Sequence, residues 1–268
     1  MSLLLIRLKP TEQQEMQLTF AVKGVFVGEK NIAVWDHEQV TIYELIDSTH
    51  SPLKTQVLSS FACVVSAVAI FQQNLYCLEP EKVNVRTMQG TVKQILSFPE
   101  MEGDPLLMDL RSSWLCIATS NGFLRIYDLS RREAKQQYQS KYVVESIDNF
   151  NRFVMVKMNK DGNRVSFTCT TDDSKEVSSY LTVWDAESDT IAYFDFTTGM
   201  TDQQQYEAET DAALAAGQRP TTAAVRKIER EQIRYRMLEH SPGVHCWDSE
   251  DSRFLICEAN HRNPDIVR

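Results

Sequence analysis

The sequence predicts an all-β fold built from repeated sheet units, and three observations carry that expectation. The first is a short strand pattern, Leu124-Arg125-Ile126-Tyr127-Asp128-Leu129, in which apolar residues alternate and an acid follows an aromatic. The second is its recurrence as Val40-Thr41-Ile42-Tyr43-Glu44-Leu45 and Leu181-Thr182-Val183-Trp184-Asp185-Ala186, with a weaker copy in Val83-Asn84-Val85-Arg86-Thr87-Met88. These begin at 40, 83, 124 and 181, so the steps are 43, 41 and 57 residues. A period of about 40–45 residues closed by an aromatic–acid dipeptide marks a WD40-like propeller blade. The third is the turn chemistry between the strands, such as Asn121-Gly122, where both residues tolerate the positive φ of a tight hairpin. The expected fold class is therefore an all-β, WD40-like β-propeller, incomplete at about four to five blades, with a helical insertion.

Taken in order, residues 3–8 read as the outer strand of a blade otherwise missing. Residues 9–15 are polar, carry Pro10 and read as a loop. The first full unit follows: strands near 19–27, 32–35, 40–45 and 53–58, with turns at 28–31, 36–38 and 47–52. The second places strands at 64–71, 75–78, 83–88 and 91–98. The third has 106–110, 114–118, 123–129 and a more polar outer strand at 134–139, which suits an exposed blade edge blunted by charge. In the fourth, 153–156 and 165–169 flank the turn Lys160-Asp161-Gly162-Asn163. A polar loop at 170–179 then precedes 180–184 and an outer strand at 190–196. That loop accounts for most of the long step.

Residues 201–239 break the pattern. Residues 207–216 are rich in Ala and Glu and end at Gly217, a helix stop. Pro220 stands where a second helix would begin, and residues 221–239 place Val225, Ile228, Gln232, Tyr235 and Leu238 at helical spacing. Five basic residues there, Arg226, Lys227, Arg230, Arg234 and Arg236, face three acids. Two strands near 244–247 and 254–257 open a further unit. The expected division is 1–200 as propeller blades, 201–239 as a helical or flexible insertion, and 240–268 as the start of a further blade. Four units and part of a fifth would leave apolar blade faces uncovered, so the sequence reads as a piece of a longer protein.

Composition narrows the function. A net charge of −9 over 268 residues argues against nucleic acid as the main partner, because phosphate binding needs a concentrated positive field. No apolar run reaches the roughly 18–20 residues of a membrane span. The six cysteines are scattered in strand-like runs and read as reduced core thiols. His240 and His245-Cys246 raise a metal reading, but zinc wants paired ligands at close, repeated spacing. Residues 160–163 lack the further acids and closing Glu of a calcium loop. There is no phosphate loop, nucleophile elbow or metalloprotease motif. No cofactor and no catalytic residue is expected. The aromatic–acid dipeptides read as structural, the aromatic filling space between blades and the acid accepting hydrogen bonds at the strand end. The candidate partner-binding residues are Arg131 and Arg132 on the turn after the third repeat strand, with Lys227, Arg230 and Arg234 in the insertion.

Several stretches resemble a known family in a consistent order. They are Val25-Phe26-Val27 with Ile32-Ala33-Val34-Trp35 and Gln39-Val40, then residues 85–94, then Asp128-Leu129-Ser130-Arg131-Arg132-Glu133-Ala134-Lys135. Asp195-Phe196-Thr197-Thr198-Gly199 and Trp247-Asp248 with residues 254–259 continue the series. Over about residues 20–200 and 245–259 the chain is similar to the intraflagellar transport protein 140 family. The resemblance implies the second of two propellers in a core subunit of the intraflagellar transport A complex. That complex serves retrograde movement in cilia and entry of membrane proteins into them. The implied partners are other subunits of that complex and ciliary cargo proteins or adaptors. The implied location is the cilium, including axoneme and basal body, on the cytoplasmic side. No catalytic residues carry over. Segment 203–239 departs from the family pattern by being longer and more helical. Two other readings stand beside this one: a WD-repeat scaffold of another assembly such as a vesicle coat, and a propeller-fold hydrolase.

Overall fold

In the computed structural model, the described residues are 2–8, 11–48, 51–147, 149–171, 180–195, 200–201, 245–247 and 254–256. The expected helical insertion, from residue 202 on, lies outside them, as do Lys227, Arg230 and Arg234. Among the described residues the regular elements are all strands, apart from a 3-10 turn at Glu100–Glu102. No helix of the described residues is long and apolar enough to cross a membrane. The chain divides into two compact units. One takes Met1–Met108, Thr119–Asn121 and Leu129–Lys135, and the other Asp109–Ala118, Gly122–Asp128 and Gln136–Arg268.

The first unit begins with a hairpin, β1 (Ser2–Leu8) and β2 (Thr11–Gln17), paired antiparallel from Ser2↔Gln17 to Leu8↔Thr11. Residues 3–8 are thus not a lone outer strand, and most of 9–15 is not a loop. The reason lies in tertiary packing. Leu3 and Leu5 lie against a core of Leu18, Ile32 and Val34, and Met16 is buried on the same face of the hairpin. Gln14 Nε2 also donates to Thr55 Oγ1 at 3.3 Å. The opposite face carries Leu4 and Ile6, each 53% exposed.

Blade one is the sheet β3 (Gly24–Val27), β4 (Asn31–Trp35), β5 (Gln39–Ser48) and β6 (Ser51–Ala62), in chain order. Its middle strands are buried on both faces because alternate side chains serve different cores. Ile32, Val34, Tyr43 and Leu45 face the hairpin's core. Ala33, Trp35, Val40 and Ile42 face blade two. Blade two is β7 (Ala67–Phe71), β8 (Asn74–Leu78), β9 (Lys82–Thr87) and β10 (Val92–Ser97). It answers with Val68, Ile70, Leu75 and Cys77 in the same core. This near-continuous burial explains why β4 and β8 read as apolar runs rather than strict alternation.

The third sheet runs β11 (Pro105–Arg111), β12 (Trp114–Thr119), β13 (Phe123–Asp128) and β14 (Lys135–Gln136), with β15 (Lys141–Tyr142) also pairing β13. The outer strand expected at 134–139 is reduced to these two short pieces. Tyr142 pairs Phe123, and their rings stand 5.2 Å apart. The Asn121-Gly122 turn forms, but only Gly122 has positive φ, at 85°. With Ala118 paired to Leu124, the connection is longer than a two-residue type I′ loop.

The second unit continues through β16 (Phe150–Met158), β17 (Arg164–Thr171), β18 (Tyr180–Asp185), β19 (Thr190–Asp195) and β20 (Met200–Thr201), paired in chain order. Phe153 and Phe167 meet edge to face at 5.3 Å in its core. The turn at 160–163 is built on buried Asn159, whose Oδ1 accepts from the backbone N–H of Asn163 and Arg164. A last hairpin joins β21 (His245–Trp247) and β22 (Phe254–Ile256).

Candidate partner-binding surface

The aromatic–acid dipeptides serve the scaffold. Trp184 and Tyr127 are buried. Asp185 closes its strand: Oδ1 accepts from the backbone N–H of Glu187 and Ser188, and Oδ2 from Arg164 Nε at 2.8 Å. Burial works to raise its carboxyl, but the hydrogen bonds from Arg164 and Ser188 outweigh it and hold the group below the usual carboxylate range. Asp36 closes a turn in the same manner, its Oδ1 taking the N–H groups of Glu38 and Gln39 at 2.8 Å each.

His245 is a buried structural link. It is 1% exposed, and its Nε2 lies 3.0 Å from Ser166 Oγ in β17. Two residues on, Trp247 Nε1 donates to Lys157 O at 3.1 Å, and Arg111 donates to Trp247 O at 3.2 Å. Lys157 Nζ is held by Asp109 Oδ1 at 2.8 Å, while Asp109 Oδ2 takes the N–H of Met158. Burial, then the Lys157 charge, depresses the imidazole to about 4, against a weaker opposing contribution from Ser166. His245 is therefore neutral at pH 7. Among the described residues no three His, Cys, Asp or Glu side chains gather as a metal-ligand set.

This depression has a sign. The unfolded histidine takes up a proton near 6.5 and the folded one only near 4, so protons favour the unfolded chain between those values. Stability should be unaffected by His245 above about pH 6.5 and should decline as pH falls towards 4. The loss should reach roughly 3 kcal/mol. Urea midpoints across that range, for the natural chain and His245→Gln, check this. Equal pH slopes in the two proteins would refute it.

One surface cleft of about 460 Å³ is lined by Tyr138, Gln139, Ser140, Lys141, Trp184, Ala186 and Asp189. Lys141 Nζ and Asp189 Oδ2 form an ion pair at 2.7 Å, and Trp184 Nε1 donates to Asp189 Oδ1 at 3.3 Å. The hydrogen bond from Lys141, then that from Trp184, holds the Asp189 carboxyl below its ordinary value. Tyr138 is pushed up by burial and by the charges of Glu187 and Asp185. The cleft presents one phenol, with the ammonium and carboxylate of the Lys141–Asp189 pair beside it.

Of the residues singled out from sequence, Arg131 and Arg132 are both exposed on the turn after β13. That turn is anchored at Ala134, whose N–H and C=O are both engaged by the Gln94 side chain at 2.9 Å. Lys227, Arg230 and Arg234 lie outside the described residues, so the structure joins only the two arginines. Two features escaped the sequence. One is the cleft, which needs segments some forty residues apart. The other is a polar knot in the first unit, made by Glu79, Arg86 and Gly90 of blade two with Phe61 and Cys63. There Arg86 donates to Glu79 Oε1 at 2.8 Å and to Gly90 O at 2.9 Å, and lies 5.9 Å from the Phe61 ring centre. Cys63 Sγ sits 3.4 Å from the same Glu79 oxygen. The available signal was Arg86 itself, a cation directly after the apolar Val83 and Val85 of its strand.

Solved structures show similar chains. Hsv2 from Kluyveromyces lactis is 11% identical, with 65% of this chain and 50% of that one covered at a TM-score of 0.43. A Saccharomyces cerevisiae structure of a Dbp5 variant bound to Nup159, a Gle1 variant, IP6 and ADP matches at 9% identity. It covers 69% of this chain and 49% of that one, at a TM-score of 0.48. The β-propeller domain of Cps50 (Swd1) from Myceliophthora thermophila matches at 11% identity, 70% coverage of each chain and a TM-score of 0.45. The chain thus spans about half the length of the first two. The family described as the IFT140 second beta-propeller matches residues 1–267. With nearly its whole length matched, the chain belongs to the IFT140 second beta-propeller family.

Proposed function

We propose that the chain is a non-catalytic protein–protein interaction scaffold within the intraflagellar transport A complex, acting in retrograde ciliary transport and in ciliary entry of membrane proteins. The observation that carries this reading is the family match over residues 1–267. The architecture supports it: rigid sheets hold turns and a polar cleft at the surface, and the prominent acids, Asp36, Asp185 and Asp189, are engaged in turns and ion pairs. Its partners are other subunits of that complex and ciliary cargo or adaptors, met on the cytoplasmic side of the cilium, axoneme and basal body included. Arg131 and Arg132 supply one contact, to an acidic partner surface.

The test is recovery of the transport A subunits with the tagged full-length protein from ciliated cells, together with its entry into cilia. A protein that does neither refutes the assignment. Within a complex that does form, reversing both charges (Arg131→Glu with Arg132→Glu) should weaken the affected partner about three- to tenfold, chiefly through association rate. The deficit should shrink as salt rises. Unchanged affinity at low salt would remove the two arginines from the interface while leaving the scaffold reading intact.

A further inference from the structure

The outer edge of blade two differs from the other sheet edges. β10 pairs β9 on one side, and among the described residues no strand of that sheet lies on the other. It runs for six residues. β6 of blade one, by contrast, is tied to the hairpin through Gln14 and Thr55, and the next two sheets end in two-residue pieces, β14 and β20. The two faces of β10 are unlike. Val92 pairs Arg86 and Ile95 pairs Asn84, two positions apart on β9, so both side chains stand on one face. Val92 is 42% and Ile95 56% exposed. Gln94 points to the opposite face, where its amide takes both the N–H and the C=O of Ala134 at 2.9 Å. That anchors beside the strand a turn bearing exposed Arg131, Arg132 and Lys135 against one exposed acid, Glu133. The bulge between Val92 and Gln94, and the ammonium of Lys93 held by Asn74 Oδ1 at 2.6 Å, guard the start of this edge. From Gln94 to Ser97 the register is regular.

We propose that β10 accepts an added strand from a partner protein, an extended segment in which apolar and acidic residues alternate. Main-chain hydrogen bonds to the edge hold it. Strand geometry sends successive side chains to opposite faces, so the apolar set covers Val92 and Ile95 while the acidic set faces Arg131 and Arg132. Neither face alone selects this ligand; the alternation does. The proposal rests on the reading of the two arginines as a contact to an acidic partner, and adds that partner's conformation and pattern. A second copy of the chain fits less well. Antiparallel pairing of two β10 edges would bring both arginine turns to one face, where like charges repel.

A fluorescein-labelled octapeptide of alternating valine and glutamate, titrated with the full chain and read by anisotropy, tests this. It should bind about tenfold more tightly than an isomer with its valines and glutamates in two blocks, and about tenfold more tightly than the valine–lysine counterpart. N-methylating alternate amides of the peptide should abolish binding for one set and spare it for the other, because only every second N–H faces the edge. Ile95→Ser, and Arg131→Glu with Arg132→Glu, should each weaken binding about threefold or more. Equal affinity of the block isomer, indifference to both methylation sets, unchanged binding by either variant, or no binding of the alternating peptide overturns the proposal. So does a dimer in sedimentation that Ile95→Ser disperses, which assigns the edge to a second copy. The substituted residues are all exposed, and the methylation comparison uses the natural chain. The assay contains no other subunit, so its failure is separate from a failure to recover the transport A complex.

Discussion

Replacing Trp184 by alanine should lower stability by about 3–5 kcal/mol, read as a shift of the urea midpoint. The indole is 1% exposed. It stands at the centre of the fourth sheet, paired across to Val165 on one side and Ile191 on the other. Truncation removes its buried area, leaves a void that rigid neighbouring strands fill only in part, and strips Asp189 of the Nε1 hydrogen bond. Trp184→Phe keeps most of the volume and loses only that bond, so it should cost about 1–2 kcal/mol. The difference between the two variants separates packing from polar anchoring. A loss below about 1 kcal/mol for the alanine variant would mean that the ring does not fill the core as described.

Gly162→Val should cost about 2–4 kcal/mol. Two effects add. Gly162 sits at φ 76°, in the left-handed region that β-branched residues avoid. A Cβ there would also lie 2.1 Å from Trp114 Cδ2 and 2.5 Å from its Cγ, the root of a ring that cannot swing away as a flexible chain end would. Near-ultraviolet circular dichroism should report displacement of Trp114 alongside the fall in the unfolding midpoint. Gly28→Ala is the matched control: its nearest obstacle is Asn31 O at 3.2 Å, so it should change stability by less than about 1 kcal/mol. Equal effects of the two substitutions would refute the account of the 160–163 turn.

Much of the strand order was legible because each repeat carries its own turn chemistry and apolar strand. Val40, Ile42, Leu124 and Ile126 declare their strands by alternation, and each is buried. Strand β2 did not, since in Thr-Glu-Gln-Gln-Glu-Met-Gln only Met16 is apolar. Its strand character comes from pairing with β1 and covering blade one, which no local pattern encodes. Likewise 134–139 looked like one strand, but the N–H and C=O of Ala134 are both taken by the Gln94 side chain, outside the ladder with β13. The exposure of Arg131 and Arg132 was readable from their turn. The cleft was not, because Tyr138 and Asp189 meet only through the packing of successive sheets. Nor was the role of His245: its neighbour in sequence is Cys246, which suggested metal, whereas its neighbour in space is Ser166.

The meandering strand order has a kinetic consequence. In both blades of the first unit every strand bonds to the one made just before it. The contacts closing each sheet therefore span few residues, and the loop entropy opposing each pairing step is small. Blade one can pair its strands before blade two has left the ribosome. Blade two then condenses on the waiting face of Ala33, Trp35, Val40 and Ile42. Within the first unit, a chain assembled in this vectorial order exposes the face of blade one only until blade two is made and covers it.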